Sequence, residues 1–150
     1  MKLTPFEKNI IEKMQPGVLS TEGFLGKDDR HLHEIIEEDY ETLLKLNVSQ
    51  DEIADRLAYF NEVSKEAYDL PVLIDDKYLL QQDIWRGRVL CPFNHKGSFS
   101  KNTVTLINKE NNLKVVWTNL NIHFIKEHCF FEGKGSKYRI EPDLLIKAIF

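Results

Sequence analysis

Thr103-Val104-Thr105-Leu106-Ile107 and Leu113-Lys114-Val115-Val116-Trp117-Thr118 are two runs rich in β-branched and aromatic residues, separated by Asn108-Lys109-Glu110-Asn111-Asn112. Such side chains suit a pleated, half-buried surface, and the polar spacer suits a turn, so the two runs predict a β-hairpin. Thr118-Asn119 then caps a short helix that carries Leu120, Ile122, Phe124 and Ile125 to about His128. Strand, strand and helix in immediate succession place the chain in the α+β class.

Working outward, Val72-Leu73-Ile74 reads as a short strand before an Asp75-Asp76 turn. Tyr78 to Trp85 fits either a strand or a short helix. Arg88-Val89-Leu90 leads into Cys91-Pro92-Phe93-Asn94-His95-Lys96-Gly97, a loop by its Pro, Asn and Gly. Beyond the hairpin and its helix come a glycine loop, Glu132 to Ser136, a short strand at Tyr138-Arg139-Ile140, and a terminal helix from Glu141-Pro142 through Ile149.

The first half has a different period. Thr4-Pro5-Phe6-Glu7 reads as a helix start, with Phe6, Ile10, Ile11 and Met14 on one face and Pro16-Gly17 as the stop. Ser20 to Gly26 reads as a turn or a helical fragment. A second helix starts near Asp28-Asp29, with an apolar stripe of Leu32, Ile35, Ile36, Tyr40, Leu43, Leu44 and Leu46. Within it His31 and His33 fall on different sides. Ser49 with Glu52 forms a capping box for a third helix, with Ile53, Leu57, Phe60, Val63 and Ala67 at helical spacing through about Tyr68. Asn61 and Glu62 continue this helix where a helix-turn-helix would need a turn, so DNA reading by this segment is not expected.

Period and charge switch together near Pro71. Residues 1–70 hold sixteen acids against eight bases, and residues 71–150 hold twelve bases against eight acids, for a net charge of −4. The expectation is one domain over 1–150: an acidic helical segment, 1–70, packed on a basic α+β module, 71–150. Charged residues at 29% beside 42% hydrophobic residues exclude a disordered or fibrous chain. Two cysteines are too few for a secreted disulfide scaffold. Met1-Lys2-Leu3 is followed by no long apolar run, and no stretch approaches the roughly 18 apolar residues of a membrane span. A cytoplasmic protein with reduced thiols, not bound to a membrane, is expected.

The candidate chemistry lies between Cys91 and Cys129. Cys91-x3-His95 flanks a turn, and His123-x4-His128 ends the short helix. Zinc takes four N or S donors, usually as two close pairs on separate elements, so Cys91, His95, His123 and His128 form a candidate zinc site. His123 and His128 lie roughly 140° apart on an ideal helix, and a tightened or frayed end must bring them together. Leu120 to His128 resembles the helical half of a two-Cys two-His zinc finger, where a histidine pair sits behind a β-hairpin. The resemblance implies zinc ligation by that pair and covers this stretch alone, since the first pair is Cys-x3-His. Cys129 can substitute for a ligand or serve as a small core residue.

Glu127, four residues from His123, is the candidate base if the metal is catalytic. Lys134, Gly135, Ser136 and Arg139 form a candidate anion site, because exposed N–H groups and cations hold phosphate. The spacing is not that of a P-loop. Phe99, Trp117, Phe130 and Phe131 near lysines suit a single-stranded nucleic-acid groove, a lesser expectation beside a protein partner. The leading functional expectation is a partner-binding module with a structural zinc site. The alternative is a metal-dependent hydrolase or nuclease using the same cluster.

Overall fold

A computed structural model describes residues 4–67 and 69–150. Met1-Lys2-Leu3, where the lack of a leader was read, and Tyr68, the expected end of the third helix, lie outside the described residues. Three helices come first: α1 (Pro5–Lys13), α2 (Leu32–Leu46) and α3 (Gln50–Lys65). Six strands follow: β1 (Val72–Ile74), β2 (Tyr78–Asp83), β3 (Arg88–Leu90), β4 (Ser98–Ser100), β5 (Thr103–Asn108) and β6 (Leu113–Thr118). The chain ends with α4 (Asn119–His128) and α5 (Pro142–Ile149). The class is α+β, with the helical segment, hairpin, short helix and terminal helix in the expected order. Among the described residues no helix is long and apolar enough to cross a membrane.

The hairpin β5–β6 forms in the expected place and is the centre of a four-stranded antiparallel sheet of order β1-β2-β5-β6. Tyr78 to Asp83 resolves as a strand because its alternate residues Tyr78, Leu80 and Gln82 are buried. Register places Leu80 opposite Leu106 and Leu106 opposite Val115, with Val104 opposite Trp117. These rows make one apolar face, covered by α3 and α5. Leu57, Phe60, Leu145 and Ile149 seal it with essentially no exposure. Asn61 on α3 ties the layers: its Oδ1 accepts from the Trp117 indole at 2.7 Å, and its carbonyl accepts from Gln82.

Two further strands, β3 and β4, pair with each other as a separate ribbon, Val89 opposite Phe99. They pack beside a second core cluster that includes Ile10, Met14, Phe24, Leu32, Ile35, Leu120, Phe124 and Phe130. Both clusters draw residues from either side of Pro71.

Several local expectations are corrected. The second helix begins at Leu32, because Asp28 is held by Arg30 and His31 is the extended N-cap. Its buried stripe is Leu32, Ile35, Asp39 and Leu43, so Tyr40, Leu44 and Leu46 face outward. Asp39 is buried because Arg139 pairs with it bidentately, at 2.6 and 3.0 Å. Phe6 is exposed beside a buried Ile10 and Met14. Tyr138-Arg139-Ile140 forms no strand: Arg139 N–H turns back to Ser136, and Ile140 bonds only Phe131. Trp117, Phe130 and Phe131 are at most 1% exposed, so they are core and cannot stack bases.

Candidate metal centre

Cys91 follows β3 directly. Asn94 then takes a left-handed conformation, φ 65°, which reverses the chain so that His95 returns toward Cys91. The N–H groups of Phe93 and His95 point at the Cys91 sulfur and favour its thiolate, while burial outweighs them and raises the thiol's pKa. Lys13 of α1 donates to Asn94 Oδ1 and steadies the turn from outside.

The helix α4 supplies the other pair. Thr118 and Asn121 form its capping box, and Cys129 ends it in the left-handed region, φ 50°. His128 is the last residue of a helix that stays α-helical to its end, so no tightened or frayed turn is needed: the two long side chains reach across the angle between them, with ring centroids 5.3 Å apart. Phe93 stacks on His128 with centroids 3.9 Å apart, and Phe99 lies 4.6 Å from His123.

Three of the four donors meet, with the His95 ring beside them. Donor atoms of Cys91, His123 and His128 lie within 4.8 Å of one another. Cys91 Sγ is 3.7 Å from His128 Nε2. The ring centroids of His95, His123 and His128 are separated by 4.5, 5.1 and 5.3 Å. Zinc bonds of about 2.05 Å to nitrogen and 2.3 Å to sulfur, at tetrahedral angles, put S and N about 3.6 Å apart and ring centroids about 5 Å apart. The Cys91–His128 pair and the three ring centroids are therefore spaced close to what one tetrahedral ion requires. His95 is exposed, and its nitrogen stands outside the tight trio. That ring would have to turn to complete the set.

Electrostatics agrees with metal-ready imidazoles. Burial, then the neighbouring His95 and His123 rings, push His128 down to about 4. Burial also lowers His123, assisted by His95 and opposed by Glu127. Neutral rings are the form that binds metal. Among the described residues His123 Nε2 is a buried nitrogen with no hydrogen-bond partner. Such groups are uncommon in native interiors, and an ion is a standard explanation.

The remaining candidates are placed as follows. Cys129 points into the main core, not toward Cys91, and burial followed by Asp39 raises its thiol to about 11. Glu127 is an exposed residue of α4. In the glycine loop, Ser136 Oγ donates to Glu132, the Lys134 N–H donates to Asp28, and Arg139 is held by Asp39 and Glu141. Gly135, φ 86°, packs against Lys27. The loop borders a cavity of about 200 Å³ whose lining includes Lys101, Lys137 and the buried Glu132. The loop's own donors are thus engaged by carboxylates of this chain, and Lys27, Lys101, Lys134 and Lys137 are nearby cations without a salt bridge among the described residues.

Two features escaped the sequence. Glu132 is 3% exposed at φ 68°, bonded by Asn121 and Ser136 at 2.6 Å each, so it anchors the first turn of α4. The β3–β4 ribbon, which carries Cys91, is too short to show a period. No family model, curated protein or solved structure matches the chain, so the geometry of the site carries the functional argument.

Proposed function

We propose that this protein is a binding module whose β3–β4 ribbon is stapled to α4 by a zinc ion held by Cys91, His95, His123 and His128. The observation that carries the reading is the convergence of one sulfur and two imidazole donors within 4.8 Å, with the His95 ring 4.5 and 5.1 Å from the other two rings. The orphaned His123 Nε2 supports it.

The partner surface lies on the segment leading into the stapled ribbon. Ile84, Trp85 and Leu90 are 50 to 62% exposed, next to exposed Arg86, Arg88 and Lys101. Trp85 is held in place by its indole N–H on Thr103 and its backbone N–H on Asn102. A rigid aromatic flanked by cations suits a protein segment with apolar anchors and acidic residues. The test is metal analysis of the purified full chain. At least one zinc per chain is expected, and Cys91→Ser and His123→Ala should each lose one equivalent together with thermal stability. Both variants keeping wild-type stability and metal content would remove the centre.

One observation favours a second reading. His95 is exposed, so its position can pass to water, as in hydrolytic zinc sites. Glu127 would then take the proton from that water in a metal-dependent hydrolase or nuclease. Metal-dependent turnover of phosphodiesters or esters by the wild type, lost in Glu127→Gln with zinc retained, would establish that reading over the first.

A further inference from the structure

The N-terminal histidines are brought together by a helix start. His31 is the N-cap of α2, in extended conformation at φ −63° and ψ 147°, and His33 is the second helical residue. A continuous helix through both would have separated them. Instead their ring centroids lie 5.4 Å apart, close to the roughly 5 Å of two imidazoles on one ion. Donor atoms of His31, His33 and Glu34 all lie within 4.8 Å of one another. His31 Nδ1 is 3.6 Å from Glu34 Oε1.

Behind His33 stands a carboxylate from another element. Glu7 on α1 accepts from His33 Nδ1 at 3.1 Å and from the His33 backbone N–H at 3.2 Å. This fixes the ring proton on Nδ1 and leaves the Nε2 lone pair available, the arrangement that metal-ligating histidines use. The side chains of His31 and Glu34 are 40% and 53% exposed and that of Glu7 only 16%, so the ligands are open to solvent and the orienting group is covered. The positive end of the α2 dipole opposes a cation here, and the carboxylates of Glu7 and Glu34 offset it.

We propose that His31, His33 and Glu34 form a second site for a divalent transition metal, with Glu7 as the positioning residue. Two imidazoles and one carboxylate with open positions suit zinc, cobalt or nickel completed by water. The site is built without any residue of the Cys-His centre. Glu7 joins α1 to this site through His33, and α1 has nine residues, too few to hold its helix unaided.

The test is titration of the full chain with Co²⁺, read in the visible and near-ultraviolet. Thiolate-to-cobalt charge transfer marks the Cys91 centre, while the second site adds only weak d–d bands. The expected result is a second equivalent without thiolate bands. It disappears in His31→Ala and His33→Ala, persists in Cys91→Ser, and weakens roughly 10- to 100-fold in Glu7→Gln. In the wild type, bound Co²⁺ should also broaden amide resonances of residues 7 and 31–34, a readout that needs no variant. A second equivalent that survives the loss of both histidines, or a wild type that binds only thiolate-linked cobalt, would overturn the proposal.

Discussion

Glu132→Gln should make the protein more stable than wild type at pH 8 and leave it nearly unchanged at pH 4.5. The carboxyl is buried with no cation bonded to it, and burial raises its pKa from 4.5 to about 7 against the pull of Ser136 and Asn121. A raised carboxyl favours folding while it is neutral. Its contribution is complete below pH 4.5, fades as pH rises through 7, and is absent above. The shift corresponds to about 3 kcal/mol, at 1.36 kcal/mol per unit. Glutamine keeps an oxygen for the Asn121 amide, offers an N–H to the Ser136 hydroxyl, and does not titrate. Urea unfolding of both proteins from pH 4.5 to 8.5, at fixed ionic strength, gives the curve of their difference. Subtraction cancels the opposing titration of His123 and His128, whose lowered pKa values destabilise the acid side. A difference that stays constant across this range would refute the reasoning and place the Glu132 pKa near its ordinary value.

Other perturbations separate the parts of the structure. Gly133→Ala builds a Cβ 2.2 Å from the Leu25 carbonyl oxygen, a backbone atom that cannot step aside, so chemical denaturation should show a loss of at least roughly 1–3 kcal/mol. Asp39→Ala leaves the Arg139 guanidinium, 7% exposed, without its bidentate partner and should cost about 3–5 kcal/mol in the same assay. In the structural reading of zinc, Glu127→Gln at an exposed position changes stability by less than roughly 0.5 kcal/mol and alters no turnover. Cys91→Ser should release zinc and lower the melting temperature by an amount that excess zinc does not restore.

The sheet was legible where runs were long enough to carry a period. Thr103–Asn108 and Leu113–Thr118 announce themselves by six residues of β-branched and aromatic side chains around a polar turn. Arg88–Leu90 and Ser98–Ser100 have three residues each, too few for a period, and they lack the wholly apolar composition that marks the equally short Val72–Ile74. The candidate Cys-His cluster was legible for a different reason: thiol and imidazole pairs at short spacing are informative even when their fold is not. The outward face of α2 was misread because hydropathy ranks Tyr40 and Leu44 above Asp39. Only the partner Arg139, one hundred residues away, explains why the acid is inside. His31 and His33 likewise depend on where a helix begins, and a shift of three residues in that start moves them from opposite sides to contact.

The placement of the proposed zinc follows from unequal cores. The main cluster joins seventeen buried residues across a four-stranded sheet with α3 and α5 against it. The second joins ten, in which a nine-residue helix, a turn-rich segment and a ribbon of three-residue strands pack on one face each of α2 and α4. A two-stranded ribbon of that length is marginal in water, since it fixes more backbone than its few bonds offset. Cys91 and His95 lie at the free end of this ribbon, and His123 and His128 lie on α4, which packs against the sheet and α3. An ion between them would transfer the rigidity of the large core to the small one. Apo protein should therefore lose hydrogen-exchange protection first at Val89 and Phe99, while Leu80 and Leu106 keep theirs. Uniform loss across both sheets on chelation would mean that the ion supports the whole fold, and equal protection with and without metal would mean that the ribbon needs no staple.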